Sequence, residues 1–369
     1  MNKLVELHLI VEITPEAWRN NIFEASRQNL ADGIVDAADV FREIFPKNLG
    51  KYWEHCASVK LNVYNQPKSI HPYTLRRAGE VARYVMDLRP DVLYFDDLSL
   101  RLAPVVMKLR KLPIVMNIHD PRLHGGEKNW RIELSRALVY PQVDHFILHS
   151  EFSRNEFLQR YRYDHSRTSM VPFGVLEVFR EWLEEEVQQM GITILFFGRI
   201  SPYKGVEVFI EAARKISAKI SNCTFVIAGQ TVGRYKLPEL PRLENNGTFQ
   251  IFKHYLLNKE LVSLVQRSTV VACPYLTATQ SGVVLTSYAF SKPVVVTNVG
   301  GLAEFVWDGE TGRIVPPNDA DSFANGVIDL LSKDKSYWSS KIAEKVGENL
   351  NWETIARQTC GILEKVSRG

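Results

Sequence analysis

Short apolar runs alternate with longer stretches of helical spacing along almost the whole chain. Residues 4–13 read as a strand and 15–30 as the helix after it. A mixed region follows, with a helical piece near 35–44 and a strand at 60–64. The spacing then predicts a helix over 74–88 and strands at 91–95, 113–118 and 145–149. Residues 150–153 suit a helix cap, and 170–175 read as the last strand and exit loop of a first domain. Residues 176–191 are charged and have the length of a linker with a helical turn or two. From Ile192 a second series begins, with strands at 192–197, 224–228, 249–252, 270–274, 293–297 and 313–315. Helices fill the gaps between them, two more fall at 321–332 and 339–349, and a long one closes the chain at 352–366. Such alternation predicts an α/β architecture with parallel sheets. The expected organisation is a Rossmann-like domain over 1–175, a linker over 176–191, a second Rossmann-like domain over 192–350 and a terminal helix over 351–369. A cleft is expected between the two domains.

In open α/β sheets ligands sit at the carboxyl ends of strands. Those ends therefore define the candidates, among them Asp96-Asp97, His119-Asp120, His149-Ser150, Gly198-Arg199 and Gly229-Gln230. The stretch 194–206 is the most informative. An apolar strand stops at Gly198, Arg199 follows, and Lys204 precedes Gly205 and a run of Val206, Phe209, Ile210, Ala213 and Ile216 on one helical face. Free N–H groups, a helix dipole and two cations suit a phosphate. The same pattern also fits a strand–turn–helix with two surface cations, and it matches neither a Walker loop nor the Rossmann glycine fingerprint. Residues 274–283 lead into a helix over 284–291, whose N-terminus offers a second anion site. Two helix starts with Arg199 and Lys204 suit a diphosphate better than a single phosphate.

Composition narrows the partners. The 369 residues are 45% apolar and 24% charged, with a net charge of +3, which predicts no nucleic-acid footprint. Arg101, Lys108, Arg110 and Lys111 cluster around Leu102, Val105, Val106 and Leu109. That is either a helix resting on an anionic membrane or an amphipathic helix with a solvated face. The four cysteines (Cys56, Cys223, Cys273, Cys360) have no metal-ligand spacing and suggest a reducing compartment. Residues 5–13 are too short and too polar for a signal, and no apolar stretch reaches the roughly 18 residues that span a bilayer. A soluble, cytoplasmic protein is expected, with peripheral contact at the inner membrane face through the N-terminal domain as the variant.

Six pieces in order carry a family resemblance: Phe197-Gly-Arg199 with Lys204-Gly205, Ile227-Ala-Gly229, Pro274-Tyr275 with Gln280-Ser-Gly282, Lys292-Pro-Val-Val295, Val299-Gly-Gly301 with Glu304, and Gly309-Glu-Thr-Gly312 running to Pro317 and Asp319. Together they resemble the donor domain of GT4-type glycosyltransferases, retaining and metal-independent enzymes of the GT-B fold. The likeness is dense over 192–330, moderate over 90–175 and thin over 1–89. It implies an N-terminal acceptor-binding domain, a donor-binding second domain and a C-terminal helix that returns to the first. The donor would be a UDP- or GDP-sugar, with neither cofactor nor metal. Arg199 and Lys204 would hold the diphosphate and stabilise it as it leaves. Amides around 281–283 would help, with Gly198, Gln280, Ser281, Gly282 and Val283 bordering the donor, and Gly229 and residues 253–256 the base. His119 matches the histidine that faces the donor sugar, and a packed strand-end histidine is its plainer reading. The family's two donor-site glutamates fall on Thr277 and Thr286, or within a residue or two of them, and no acid lies between Pro274 and Gly301. Losing a charge-assisted bond to a hydroxyl costs about 1.5–3 kcal/mol. The paired glycines usual after the first strand are also missing, the turn there being Ile13-Thr14-Pro15. His124 and Glu127, beside Gly125-Gly126, are candidates for orienting an acceptor hydroxyl or taking its proton. A solvated loop explains them equally well.

Two functions follow from the resemblance. One is a glycosyltransferase moving a hexose to a glycan or lipid-linked acceptor. The other is a non-catalytic GT-B partner or glycan-binding subunit that has lost its donor glutamates.

Overall fold

The computed structural model describes residues 5–14, 30–37, 47–66, 68–122, 130–183 and 191–369. The chain divides into two compact units, Met1–Pro172 with Glu353–Gly369, and Phe173–Trp352. The helix expected over 15–30, and the candidates His124 and Glu127, lie outside the described residues.

In the first unit β1 (His8–Ile13), β2 (Gly33–Asp36) and β3 (Ser58–Val63) form one sheet of order β1-β3-β2. β1 runs parallel to β3, and β2 antiparallel to it. The helix read from residue 35 is thus wrong at its start. Ile34 and Val35 are β-branched and pair with Asn62 and Leu61, and that ladder overrides the local helical spacing. A second, wholly parallel sheet holds β4 (Leu93–Asp96), β5 (Ile114–Ile118), β6 (His145–Leu148) and β7 (Thr168–Met170) in that order. The expected strand 170–175 sits too late along the chain. Met170 already pairs with Leu148, Val171 N–H closes the last bond to the Leu148 carbonyl, and Pro172 has no N–H to extend the ladder. Helices Pro72–Asp87 and Ala103–Leu109 cover this sheet through Ala78, Val81, Val106 and Leu109. Arg101 does not share a solvated face with Lys108. It is buried, donates from Nη2 to the Gln66 carbonyl (3.2 Å) and lies over the Tyr64 ring. The terminal helix, Trp352–Ser367, buries Ile355 and Leu363 against Val115, Ile147 and Val171 and belongs to this unit, as the resemblance implies.

The second unit is one parallel six-stranded sheet of β8 (Ile192–Phe197), β9 (Cys223–Ala228), β10 (Thr248–Phe252), β11 (Val270–Cys273), β12 (Val294–Thr297) and β13 (Gly312–Val315). Its order, β10-β9-β8-β11-β12-β13, is the doubly wound order, with the direction of winding reversing between β8 and β11. Near-continuous apolar strands follow because both faces are covered. The helix Val206–Ser217 buries every apolar position its spacing predicted, with Phe209 set against Phe196 and Phe225. Residues 176–183, read as the start of a linker, hold a 3-10 helix, Glu177–Trp182, whose Phe179 enters this core. The helix Lys335–Asn349 starts four residues before its expected 339, because Asp334 caps it by accepting from Ser336 N–H (2.7 Å).

The ends of β8 and β9 meet backbone to backbone. Gly198 and Gly229 both have φ in the left-handed range, and a Cβ on Gly229 would stand 1.8 Å from the Gly198 carbonyl oxygen. Gly229→Ala is therefore expected to cost about 3 kcal/mol, through overpacking and an unfavourable φ together. Denaturant unfolding of the variant measures it, and a loss below about 1 kcal/mol would show that the strand ends part without strain.

Candidate functional site

The reversal between β8 and β11 places two loops side by side, 198–205 after β8 and 274–281 after β11. Their backbones are tied, since Leu276 N–H donates to the Tyr203 carbonyl (2.8 Å). Pro202–Lys204 makes one 3-10 turn, and Gly205 then enters the helix Val206–Ser217 with φ of 67°. A side chain is excluded there twice over, because its Cβ would also lie 1.9 Å from the Pro274 carbonyl oxygen. The close approach sets Lys204 over the face of Tyr275, with Nζ 3.7 Å from the ring centroid. A second ring, that of Tyr203, lies 5.3 Å from the same Nζ. A cation so placed gains about 1–2 kcal/mol from the ring quadrupoles. Arg199 is exposed at the mouth of the first loop.

Tyr275 is 1% exposed. Its hydroxyl lies 3.1 Å from Ser281 Oγ, and burial holds that hydroxyl protonated far above the usual tyrosine range. Ser281 caps the helix Gly282–Ala289, accepting from Val283 N–H (3.2 Å), so of the amides expected to serve an anion that of Val283 is engaged by the cap. A Cβ on Gly198 would touch Val283 Cγ2 at 3.7 Å, so the helix start adjoins the first loop. Gly282 is exposed, Gln280 half-buried and Thr277 exposed, whereas Thr286 is 3% exposed on the inner side of the helix. Neighbouring Cys273 is buried, and burial pushes its thiol up to about 12, which removes it as a nucleophile. Gly198, Arg199, Lys204, Gln280, Ser281, Gly282 and Val283 therefore come together, and Gly229 adjoins them through Gly198. Residues 253–256 follow β10, with His254 Nε2 donating to Glu260 (2.9 Å).

His119 belongs to the first unit, one residue beyond β5. Its Nε2–H donates to Asp96 Oδ1 (2.8 Å), and the Asn117 amide donates to the same oxygen (2.9 Å). Desolvation disfavours both charges, but the pair overcomes it. The His119 imidazole is raised above its ordinary value by Asp96, with Asp97 and Asp120 helping, and the Asp96 carboxyl is lowered by His119 and Asn117. The ring of His149 lies 5.0 Å from that of His119. His149 is buried, donates from Nδ1 to the Val171 carbonyl (3.0 Å), and is held near 4 by burial and then by the charge on His119. Arg136, also buried, donates to the carbonyls of Asp120 and Pro121 and so fixes the turn that carries His119. The strand-end rule marks Asp96 and His149 individually, yet nothing in the sequence pairs them with His119. Tyr275 as the support of Lys204 and Arg136 as the anchor of the turn have no sequence signal at all.

These two histidines should titrate in opposite directions. His119 is expected above the ordinary histidine range and His149 near 4, readable from their ring-proton shifts by NMR. The unfolded chain protonates His149 near pH 6.5, so stability from its neutral form is present above that and is lost as pH falls toward 4, by about 3 kcal/mol. The contribution of His119 runs the other way, present at low pH and lost as pH rises through its raised value. His149→Gln should flatten the acid limb of the stability curve, and an unchanged limb would refute the assignment.

The comparisons with known proteins bear on both units. The family profile of glycosyl transferases group 1 matches residues 179–349, and that of glycosyltransferase family 4 matches residues 39–176. An uncharacterised glycosyltransferase of Methanocaldococcus jannaschii is 32% identical over 330 residues, covering 82% of this chain and 84% of its own. The α-D-kanosaminyltransferase of Streptomyces kanamyceticus is 28% identical over a shorter stretch, 42% of this chain and 39% of its own length. The crystal structure of Anabaena HepE in complex with UDP shares the fold, with a TM-score of 0.63 at 17% identity, covering 97% of this chain and 100% of that one. Profile and homologue agree over both units, and the chain belongs to the GT4 glycosyltransferases, hexosyltransferase-type enzymes of the GT-B fold.

Proposed function

We propose that this glycosyltransferase moves a hexose from a UDP- or GDP-sugar to a glycan or lipid-linked glycan acceptor, with retention of configuration and without a metal ion. The observation that carries the proposal is the pair of tied loops at the winding reversal of the second unit. There a ring-supported lysine, an exposed arginine and the start of a helix converge. Anabaena HepE, alike in fold, has been crystallised with UDP and with UDP-glucose, which supports a nucleotide sugar as the donor class.

In this reading Arg199 and Lys204 carry the diphosphate charge that a divalent ion carries elsewhere. The bond from the sugar C1 to the phosphate oxygen breaks as negative charge grows on that oxygen, and the fixed cations stabilise the growth without reorganising. The acceptor oxygen bonds to C1 from the face the diphosphate leaves, and its proton passes to a diphosphate oxygen. No carboxylate of 274–301 is present to act as a covalent nucleophile. Gly229 and residues 253–256 border the base, Thr277 and Thr286 replace the acids that would meet sugar and ribose, and His119 contacts the donor sugar. His124 and Glu127 are assigned to the acceptor. A second reading, a non-catalytic subunit, draws on the acid-free loop and on the burial of Thr286. Calorimetry with UDP, GDP and their sugars separates the two, since a scaffold responds to none of them.

Lys204→Ala or Arg199→Ala should lower kcat about 10²–10³-fold with the thermal melt unchanged. Turnover at the wild-type level in either variant would sink the assignment. Activity should survive EDTA, and NMR of the product should show the donor's anomeric configuration. The ring of Tyr275 predicts a graded outcome. Tyr275→Phe keeps the surface under Lys204 and should retain most donor affinity, whereas Tyr275→Leu should weaken it about tenfold. Equal affinities in the two variants would remove the ring from the account.

A further inference from the structure

The helix Trp130–Val139 in the first unit is inverted relative to an ordinary surface helix. It buries Ser135, Arg136 and Val139 and exposes Trp130, Leu134 and Leu138, which share one face at intervals of four residues. Arg136 is spent inward on the turn that follows β5, and the face opposite it presents Trp130, Leu134 and Leu138 to solvent beside Arg131. The exposed stripe is not isolated. Leu134 and Leu138 form one wall of an apolar groove of about 610 Å³, closed by Ile70 and Leu75 at the start of the helix Pro72–Asp87 and by Met107 of the helix Ala103–Leu109. Ile70 is 64% exposed, Leu75 59% and Trp130 60%. Single exposed apolar residues are ordinary, but a connected group on three helices is not.

The charge around this face has one dominant sign. Lys108 lines the groove, and Lys68, Arg110, Lys111 and Arg131 are exposed on the elements that bound it, with the Arg131 guanidinium over the Trp130 ring. Among the described residues of those elements, the acids are Glu133, paired with Arg136 and Arg160, Glu80, paired with Arg76 and Arg77, and Asp87, exposed at the far end of its helix from Ile70 and Leu75. An apolar floor with a basic rim, carrying a tryptophan at its border, matches an anionic lipid surface. There the apolar side chains enter the boundary between headgroups and acyl chains, while the cations meet lipid phosphates. A second copy of the chain would bring the same basic rim against itself, and the charge disfavours it.

We infer that this face of the first unit docks on an anionic membrane, with Trp130, Leu134, Leu138, Ile70 and Leu75 inserted and Lys108, Arg110, Lys111 and Arg131 at the headgroups. The inference rests on the surface alone and stands whether or not the acceptor is lipid-linked. Cosedimentation of the full chain with vesicles tests it, comparing phosphatidylcholine alone with phosphatidylcholine containing about 30% phosphatidylglycerol. Binding is expected only to the anionic vesicles, and raising the salt to about 0.5 M should release the protein. The double variant Leu134→Glu, Leu138→Glu should lower partitioning about tenfold or more, and Lys108→Glu with Lys111→Glu should abolish the preference for phosphatidylglycerol. Circular dichroism melts matching wild type show that both variants remain folded, as expected for exposed positions. The inference is overturned by wild-type protein that ignores anionic vesicles, or by variants that sediment as wild type does. A dimer in analytical ultracentrifugation that the leucine variant dissociates would likewise overturn it, in favour of self-association.

Discussion

Lys204 stands over a tyrosine ring that has almost no contact with water, and much of the second unit is arranged to keep it there. The ring position is fixed by burial and by the Ser281 contact, and the Tyr275 carbonyl is held in turn by Thr297 Oγ1 at the end of β12. The lysine position is fixed by a 3-10 turn that ends in a left-handed glycine pressed on the Pro274 carbonyl. None of these contacts is strong alone. Their combined effect is to hold an ammonium in one place, over an aromatic face beside the start of a helix.

The first unit solves a related problem by different means. His119 ends a strand, where backbone direction is set by the sheet but side-chain direction is not. Asp96 on the adjacent strand end supplies the direction through a charge-assisted hydrogen bond, and Asn117 orients Asp96. The turn beyond is pinned by Arg136 from a neighbouring helix. Burying that guanidinium inverts the polarity of its helix and leaves Trp130, Leu134 and Leu138 outside. The geometry around His119 and the apolar outer face are thus two consequences of one choice of which side of a helix faces in.

How much of this was legible beforehand depended on the range of the interaction. The second unit's strands and its helix Val206–Ser217 follow from local spacing, because continuous apolar runs and a 3.6-residue repeat survive with no knowledge of neighbours. β2 did not, since Ile34 and Val35 take strand geometry only because β3 offers them a partner. The end of β7 was misplaced for a similar reason, Pro172 stopping a ladder whose register is set by β6. At the site, the cations and the capping serine were readable as residue types at the ends of strands and the start of a helix. Tyr275 is readable only as part of the Pro274-Tyr275 piece of the resemblance, because its role arises from a contact with Lys204 that spans 71 positions and two loops. Arg101 was misjudged in the same way, its charge drawing it toward solvent in any local reading while Tyr64 and the Gln66 carbonyl hold it inside.

In the proposed function, threonines at the positions where the family carries glutamates bear on how binding energy is distributed. A carboxylate near a sugar or ribose hydroxyl strengthens that contact, but it also lowers the positive potential that the neighbouring cations present to a diphosphate. From Pro274 to Gly301 the sequence carries no acid that would lower the field of Arg199 and Lys204. The ring under Lys204 adds attraction without adding a counter-charge. Thr286 lies inside the helix and Thr277 out in solvent, so neither restores a charged hydroxyl contact. In the proposed site affinity would rest on the diphosphate, which every nucleotide sugar shares. Discrimination among sugars would then fall to neutral contacts, whose differences are smaller, and a donor site of that composition would grip the leaving group more firmly than it selects what is transferred.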